Sequence, residues 1–203
     1  LEEAIAAADG DTVVLLADVE VKVSIKINNT VAIDLNGKTL TGPDDGKANW
    51  YAFIVDGGAL TLKDSTGEGE LYAKCYGVET KSGSFVMESG TITATKNKTV
   101  GTAIVNYGGN VTVKGGTVSG ADNAVYTGGY FSDAATVIEG GTINGVVVVK
   151  DWDGKDYTET VVSADNTYAI LDDYKWVEQD GVYVLTAKDY VAEVNGVKYE
   201  SLE

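Results

Sequence analysis

The chain has 203 residues, 44% of them hydrophobic, and a formal net charge of −16 from 31 acidic residues against 15 basic ones. All the basic residues are lysine; arginine and histidine are absent. This balance excludes nucleic-acid binding, which needs a basic patch, and disfavours an anionic membrane surface, while the apolar fraction argues for a folded domain. No stretch approaches the ~18 apolar residues of a membrane span, so no membrane insertion by this segment is expected. Cys75 is the sole cysteine, which leaves no internal disulfide, and it reads as a small buried hydrophobe.

Residues 1–10 predict a short capping helix with Leu1, Ala4, Ile5 and Ala8 on one face and Gly10 as its left-handed stop. The helix lacks an N-cap. The chain ends Ser201-Leu202-Glu203, and laying Leu202-Glu203 over Leu1-Glu2 restores a Ser-Leu-Glu-Glu capping box. The expectation is a module of about 200 residues repeated in tandem within a longer parent, although a cloning remnant would also account for the final Leu-Glu.

Thr12–Ala17 reads as a buried strand carrying Val13, Val14, Leu15 and Leu16. Val19, Val21, Val23, Ile25 and Ile27 alternate with polar residues, which predicts one strand with a wet face. Asn28-Asn29 makes a turn, and Val31–Leu40 opens a repeat that dominates the middle of the chain.

The repeat reads Ser-Phe-Val-Met-Glu-Ser-Gly-Thr-Ile-Thr at 84–93, Asn-Val-Thr-Val-Lys-Gly-Gly-Thr-Val-Ser at 110–119 and Ala-Thr-Val-Ile-Glu-Gly-Gly-Thr-Ile-Asn at 135–144. Its key glycines fall at 90, 116 and 141, steps of 26 and 25 residues. A second set of segments interleaves with it, beginning at Ala52, Gly77, Ala103 and Ala124 and closing on Gly58, Gly83, Gly109 and Gly129. Each repeat therefore holds at least two strands with a glycine corner after each. Helical repeats are excluded by the β-branched, glycine-rich text, and propeller blades need ~40–45 residues. What remains is an all-β, right-handed parallel β-helix (solenoid) of about five rungs between Val31 and Val149. Its inward residues are expected to be Ile33, Leu35, Phe53, Val55, Leu60, Leu62, Val78, Phe85, Met87, Ile92, Ile104, Val111, Val113, Val118, Val125, Val137 and Ile143.

The Gly-Gly-Thr-Ile and Asn36-Gly-Lys-Thr-Leu40 rungs resemble the pectin-lyase-like parallel β-helix superfamily. More narrowly, Leu1–Leu16 followed by Asp34–Leu40 is similar to tandem modules in large secreted or wall-attached surface proteins of Gram-positive gut bacteria. The resemblance covers nearly the whole chain and speaks to fold far more than to activity. It implies an extracellular location.

After Val149 the rhythm changes. Lys175–Glu178 with Gly181–Leu185, and Val191–Tyr199, read as antiparallel hairpins, and Thr158–Ser163 as a further strand. A parallel coil exposes strand edges at its open ends, which invites aggregation unless they are covered. The expected organisation is one module: helix cap 1–10, coils 11–149, and a C-terminal antiparallel hairpin cap over 150–203.

Chemistry is sparse. Polysaccharide lyases on this fold typically use an Arg or Lys base with Ca²⁺ ligands, and its hydrolases use clustered Asp supported by His and Arg. Without His or Arg, the Arg-base lyase, His-dependent hydrolysis and Ser-His-Asp arrangements are eliminated. The pairs Asp44-Asp45 and Asp172-Asp173 read as solvated turns. Asp151, Asp153 and Asp156 alternate around a glycine in a pattern that suits Ca²⁺ but lacks the full twelve-residue loop and its terminal Glu; an acidic hairpin turn is the plainer account of them. The Thr-Ile-Thr, Thr-Val-Ser and Thr-Ile-Asn copies give no clean threonine ladder of the ice-binding kind. Aromatic residues fall outside the inward positions, with Trp50, Tyr51, Tyr107, Tyr130 and Trp152 as candidate ligand-binding residues beside Tyr72, Tyr76 and Phe131. Shielding of the coil's flank is the plainer account of them.

The leading expectation is thus a non-catalytic adhesin-like or spacer module of a bacterial cell-surface protein. Its partners would be glycan or a host surface protein along one flank, and neighbouring copies of the module; no catalytic residue is assigned. The alternative is a carbohydrate-active enzyme, lyase or hydrolase, using acidic residues from successive rungs.

Overall fold

The computed structural model describes residues 1–44, 50–96, 100–128, 134–150, 174–179, 182–187 and 189–200. Helix α1 (Glu2–Ala7) lies over the open end of the first turn and buries Ile5 and Ala8. Ala4, expected on the same face, is exposed. Ala4 lies 100° from Ile5, the one residue within α1 that is buried, at the edge of the apolar stripe. Gly10 leaves the helix at φ +85°, and its amide donates to the Thr30 carbonyl at 2.6 Å.

The first turn consists of β1 (Thr12–Val14), β2 (Val19–Glu20) and β3 (Ile25–Ile27). Next come β4 (Thr30–Asp34), β5 (Thr39–Thr41) and β6 (Tyr51–Lys63), then β7 (Glu70–Ala73), β8 (Tyr76–Met87), β9 (Thr91–Ala94) and β10 (Thr102–Asn106). The last turns hold β11 (Asn110–Val113), β12 (Thr117–Gly120), β13 (Asn123–Gly128), β14 (Ala135–Ile138), β15 (Thr142–Asn144) and β16 (Val147–Lys150). Strands β6 and β8 each run continuously through a glycine corner, so the two predicted sets of segments fuse there.

These strands stack as three parallel ladders. One joins β1, β4, the second halves of β6 and β8, β11 and β14. Another joins β2, β5, β7, β9, β12 and β15. The third joins β3, the first halves of β6 and β8, β10, β13 and β16. The result is a parallel β-solenoid of about five turns. Its first strand begins at Thr12.

The alternating run Val19–Ile27 is accordingly two strands in different ladders. The period-2 text runs through the bend because Val21, in the corner, is still buried, but the burial does not follow it: Val23, expected on the inward row, is 48% exposed where the chain turns into the next ladder. In the first turn Leu15 is buried while Leu16 is 85% exposed and Val14 also faces out, so this segment has a wet face.

Register makes the core easy to follow. Val31, Leu60, Phe85 and Val111 stack in one inward column, and Ile33, Leu62, Met87, Val113 and Ile138 in the next. Leu40, Leu71, Ile92, Val118 and Ile143 form a third, and Ile25, Phe53, Val78, Ile104, Val125 and Val147 a fourth. Each large apolar side chain so buried contributes about 1.5–3 kcal/mol. Cys75 is buried as a free thiol.

Val137 departs from expectation. It lies opposite Thr112 and is only partly buried, while Thr136 takes the inward place above Val111. A polar residue is tolerated there because another inward column, Ile27, Val55, Thr80, Asn106 and Thr127, itself turns polar along the coil. Asn106 donates through Nδ2 to the carbonyls of Gly109 and Ala135 and to Thr136 Oγ1, each at 3.0 Å, and its Oδ1 accepts the Gly109 amide. Thr136 Oγ1 also meets Thr127 Oγ1 at 2.7 Å. Asn106, Thr127 and Thr136 satisfy one another, whereas Thr80 Oγ1, next to Asn106 in the column, has no hydrogen-bond partner among the described residues.

Gly83 shows why glycine punctuates the corners. It sits at φ +85°, and a Cβ added to it would lie 2.0 Å from the Gly58 carbonyl oxygen of the turn below. Backbones stacked at ~4.8 Å leave no space for a side chain aimed along the axis.

At the far end, β17 (Tyr174–Gln179) and β18 (Val182–Ala187) form the expected hairpin, with β18 antiparallel to β15. β19 (Ala192–Val194) and β20 (Val197–Tyr199) form a separate two-stranded hairpin turning on Asn195 (φ +53°) and Gly196 (φ +83°). The predicted strand at 158–163 lies outside the described residues.

Candidate functional site: a tyrosine flank around Glu79

The third ladder turns one row of side chains outward, between inward Phe53/Val78/Ile104/Val125 and Val55/Thr80/Asn106/Thr127. That row reads Ile54, Glu79, Val105, Tyr126 and Val148 in register. Strand alternation sends these side chains away from the core. Glu79 and Val105 are nevertheless buried, the Glu79 side chain to 5% exposure.

Tyrosines bracket the row. Tyr51 and Tyr76 are paired at the entry of β6 and β8, and their rings stack at 4.5 Å with 17° between planes. Tyr107, just past β10, meets Tyr126 edge to face at 5.9 Å. Such pairs add about 0.5–1.5 kcal/mol beyond area burial. Tyr51 lies within electrostatic range of both Glu79 and Tyr107, which ties the two pairs together.

The electrostatics follow from burial. Loss of solvent pushes the Glu79 carboxyl above its ordinary range and outweighs the pull of Lys81 and of the Tyr51 hydroxyl; Asp56 pushes the same way as burial. Burial, with the Glu79 charge next, drives the Tyr51 hydroxyl far up, and Tyr76 is raised chiefly by burial. Lys81 Nζ stands 3.4 Å from Glu79 Oε2, an ion-pair distance. No group among the described residues makes a formed hydrogen bond to that oxygen.

Of the residues singled out in the sequence, Tyr51 and Tyr107 come together here with Tyr76. Trp50 immediately precedes β6, partly buried, and its carbonyl accepts the Tyr76 amide at 3.2 Å. Tyr72 belongs to the second ladder, where its hydroxyl pairs with Thr95 Oγ1 at 3.3 Å. Tyr130, Phe131 and Trp152, the candidate metal ligands Asp151, Asp153 and Asp156, and the pair Asp172-Asp173 lie outside the described residues. Glu79, Lys81 and Tyr126 were missed. The signal was an acid between Ile54 and Val105 in a register column that runs Lys26, Ile54, Glu79, Val105, Tyr126 and Val148, visible only once the strands are aligned.

Two other acids sit at one corner on successive rungs, and both are engaged by the backbone. Asp64 Oδ1 accepts the amides of Gly37 (2.8 Å) and Thr66 (3.4 Å) and the Thr66 hydroxyl (3.1 Å), while Oδ2 accepts the Gly69 amide at 2.7 Å. Burial raises its pKa, but these donors together outweigh burial and hold it below the usual carboxylate range. Asp34 Oδ1 accepts the amides of Asn36 (2.9 Å) and Ser65 (3.0 Å). Asp44 pairs with Lys74 at 2.5 Å. Among the described residues no group of three or more Cys, Asp or Glu could hold a metal ion. Clefts of about 350 and 420 Å³ flank α1, lined by its own residues and those of the first turn; Ser24, in the smaller one, accepts the Tyr51 amide at 3.2 Å.

No family model matches the chain, and comparisons with curated proteins and with solved structures likewise return no match. The geometry of the flank therefore carries the functional reading.

Proposed function

We propose that the chain is a non-catalytic binding module, adhesin-like or spacer in kind, of a secreted or wall-attached bacterial surface protein. It belongs on this reading with the pectin-lyase-like β-helices, in the manner of modules arrayed in surface proteins of Gram-positive gut bacteria, with further copies as neighbours. The ligand is a glycan, or a host surface protein bearing one, held along the tyrosine flank. The stacked Tyr51/Tyr76 pair beside Tyr107 and Tyr126 carries this reading, because flat apolar faces with polar rims suit sugar rings. The charge of −16 supports neutral or basic ligands over uronic acids. The amides on both oxygens of Asp64 and on Oδ1 of Asp34 give these two carboxylates a structural role at the corner, which supports binding over hydrolysis.

A glycan array probed with the wild-type chain and with Tyr76→Ala tests it. Binding to a defined glycan class that Tyr76→Ala weakens at least tenfold is expected; an array without hits, joined to an empty pull-down from host surface extracts, would leave a spacer role alone.

A further inference from the structure

Glu79 is an expensive residue to place where it is. A carboxylate so deeply buried needs donors on both oxygens or a countercharge in contact; the Tyr51 hydroxyl bonds Glu79 and Lys81 pairs with it, but neither completes Oε2. Oε2 accepts no hydrogen bond among the described residues, and the nearest cation, Lys81 Nζ, stops at 3.4 Å. Lys81 is itself 44% exposed, a flexible chain whose ammonium leans in from solvent. Tyr51 and Tyr76 stack beside this carboxylate, and Tyr107 and Tyr126 form a second pair further along the row, Tyr126 two turns from Glu79. Aromatic faces next to a partly satisfied carboxylate attract a cation through the ring quadrupole as well as the charge, most strongly where water is excluded.

Building on the glycan reading of the flank, we propose that Glu79 and its four tyrosines bind the ammonium group of an amine-bearing sugar, which displaces Lys81. The sugar ring stacks on the tyrosine platform, and its ammonium donates to the Oε2 atom that Lys81 leaves under-coordinated. Lys81 thus marks the cation position in the free protein and swings to solvent when the ligand arrives. A buried carboxyl that resists ionisation when alone gains most from a cation brought into contact, so binding is coupled to full ionisation of Glu79. A neutral sugar stacks but leaves Oε2 short of a countercharge; an acidic one meets Glu79 and the surface charge.

Isothermal titration at pH 6 with hexamers of glucosamine, N-acetylglucosamine and glucose tests this. The glucosamine hexamer is expected to bind at least tenfold more tightly than the other two. Glu79→Gln should abolish that preference, while Lys81→Met should tighten glucosamine binding several-fold by removing the resident ammonium. Glu68→Gln, which changes net charge equally at an exposed site, should leave the preference intact, so attraction of a polycation to the acidic surface is separated from the site. Binding of all three hexamers that is lost in Tyr76→Ala but shows no amine preference overturns this inference and leaves the flank reading standing. No binding by any hexamer overturns both. A preference that survives Glu79→Gln overturns the assignment to Glu79, and a trilysine peptide bound as tightly with the same Glu79 dependence overturns the sugar.

Discussion

At the scale of single residues, the coil is held by positions where nothing else fits. Gly83→Ala places a methyl group 2.0 Å from the Gly58 carbonyl oxygen, whereas Gly67, at φ +88°, has open space around it. Urea denaturation should show Gly67→Ala costing about 1–2 kcal/mol, for the left-handed conformation alone, and Gly83→Ala costing more than ~3 kcal/mol or preventing folding. Equal costs would mean that backbone strain, not stacking distance, selects glycine here. Asn106 bears the other large single-residue burden. Asn106→Ala leaves the Gly109 amide, two carbonyls and Thr136 short of a partner, so a loss of about 2–4 kcal/mol is expected, against about 1–2 kcal/mol for Thr136→Val. Much of this was legible in the sequence, since Gly90, Gly116 and Gly141 announced the corners and the apolar column residues announced the core. The inward turn of Thr136 was not, because nothing in Ala135-Thr-Val-Ile138 says which parity wins; Asn106 and Thr127, on a different ladder, decide it.

At the scale of the element, two carboxylates make opposite predictions for pH. Asp64 has a depressed pKa in the fold, so its contribution is present above the ordinary carboxylate value and is lost as pH falls through the lower folded value. Glu79 is raised, so the fold is penalised for its ionisation above the ordinary carboxylate value and relieved as pH falls below it. Asp64→Asn should therefore destabilise at pH 7 and much less near pH 3. Glu79→Gln should be neutral or stabilising at pH 7, with the gain fading towards pH 4. Thermal melts of both variants across this range check the signs, and a destabilising Glu79→Gln at pH 7 would show that Lys81 and Tyr51 hold the charge more tightly than the geometry implies. The flank explains what the sequence could not reveal. Tyr51, Tyr76 and Tyr107 stood out as aromatics away from the core, but their convergence depends on register across three turns. The run at 19–27 failed for the mirror reason, because the alternating text continues through a bend that keeps Val21 inside but turns Val23 out to solvent.

At the scale of the whole molecule, a parallel coil with antiparallel β18 on β15 and α1 over its first turn is a stiff rod with side chains in fixed rows. Stability in such a stack is shared between neighbouring turns, so a ligand spanning β6, β8, β10 and β13 should brace several of them together. Recognition on this account falls on that flank and nowhere else on the coil. Hydrogen–deuterium exchange of the full chain, with and without a saturating glycan hit, tests it most directly. Added protection is expected at residues 51–56, 76–81, 102–107 and 123–128, with the second ladder at 91–94 and 117–120 unchanged. Protection confined to the second ladder, or to the first turn beneath α1, would contradict it.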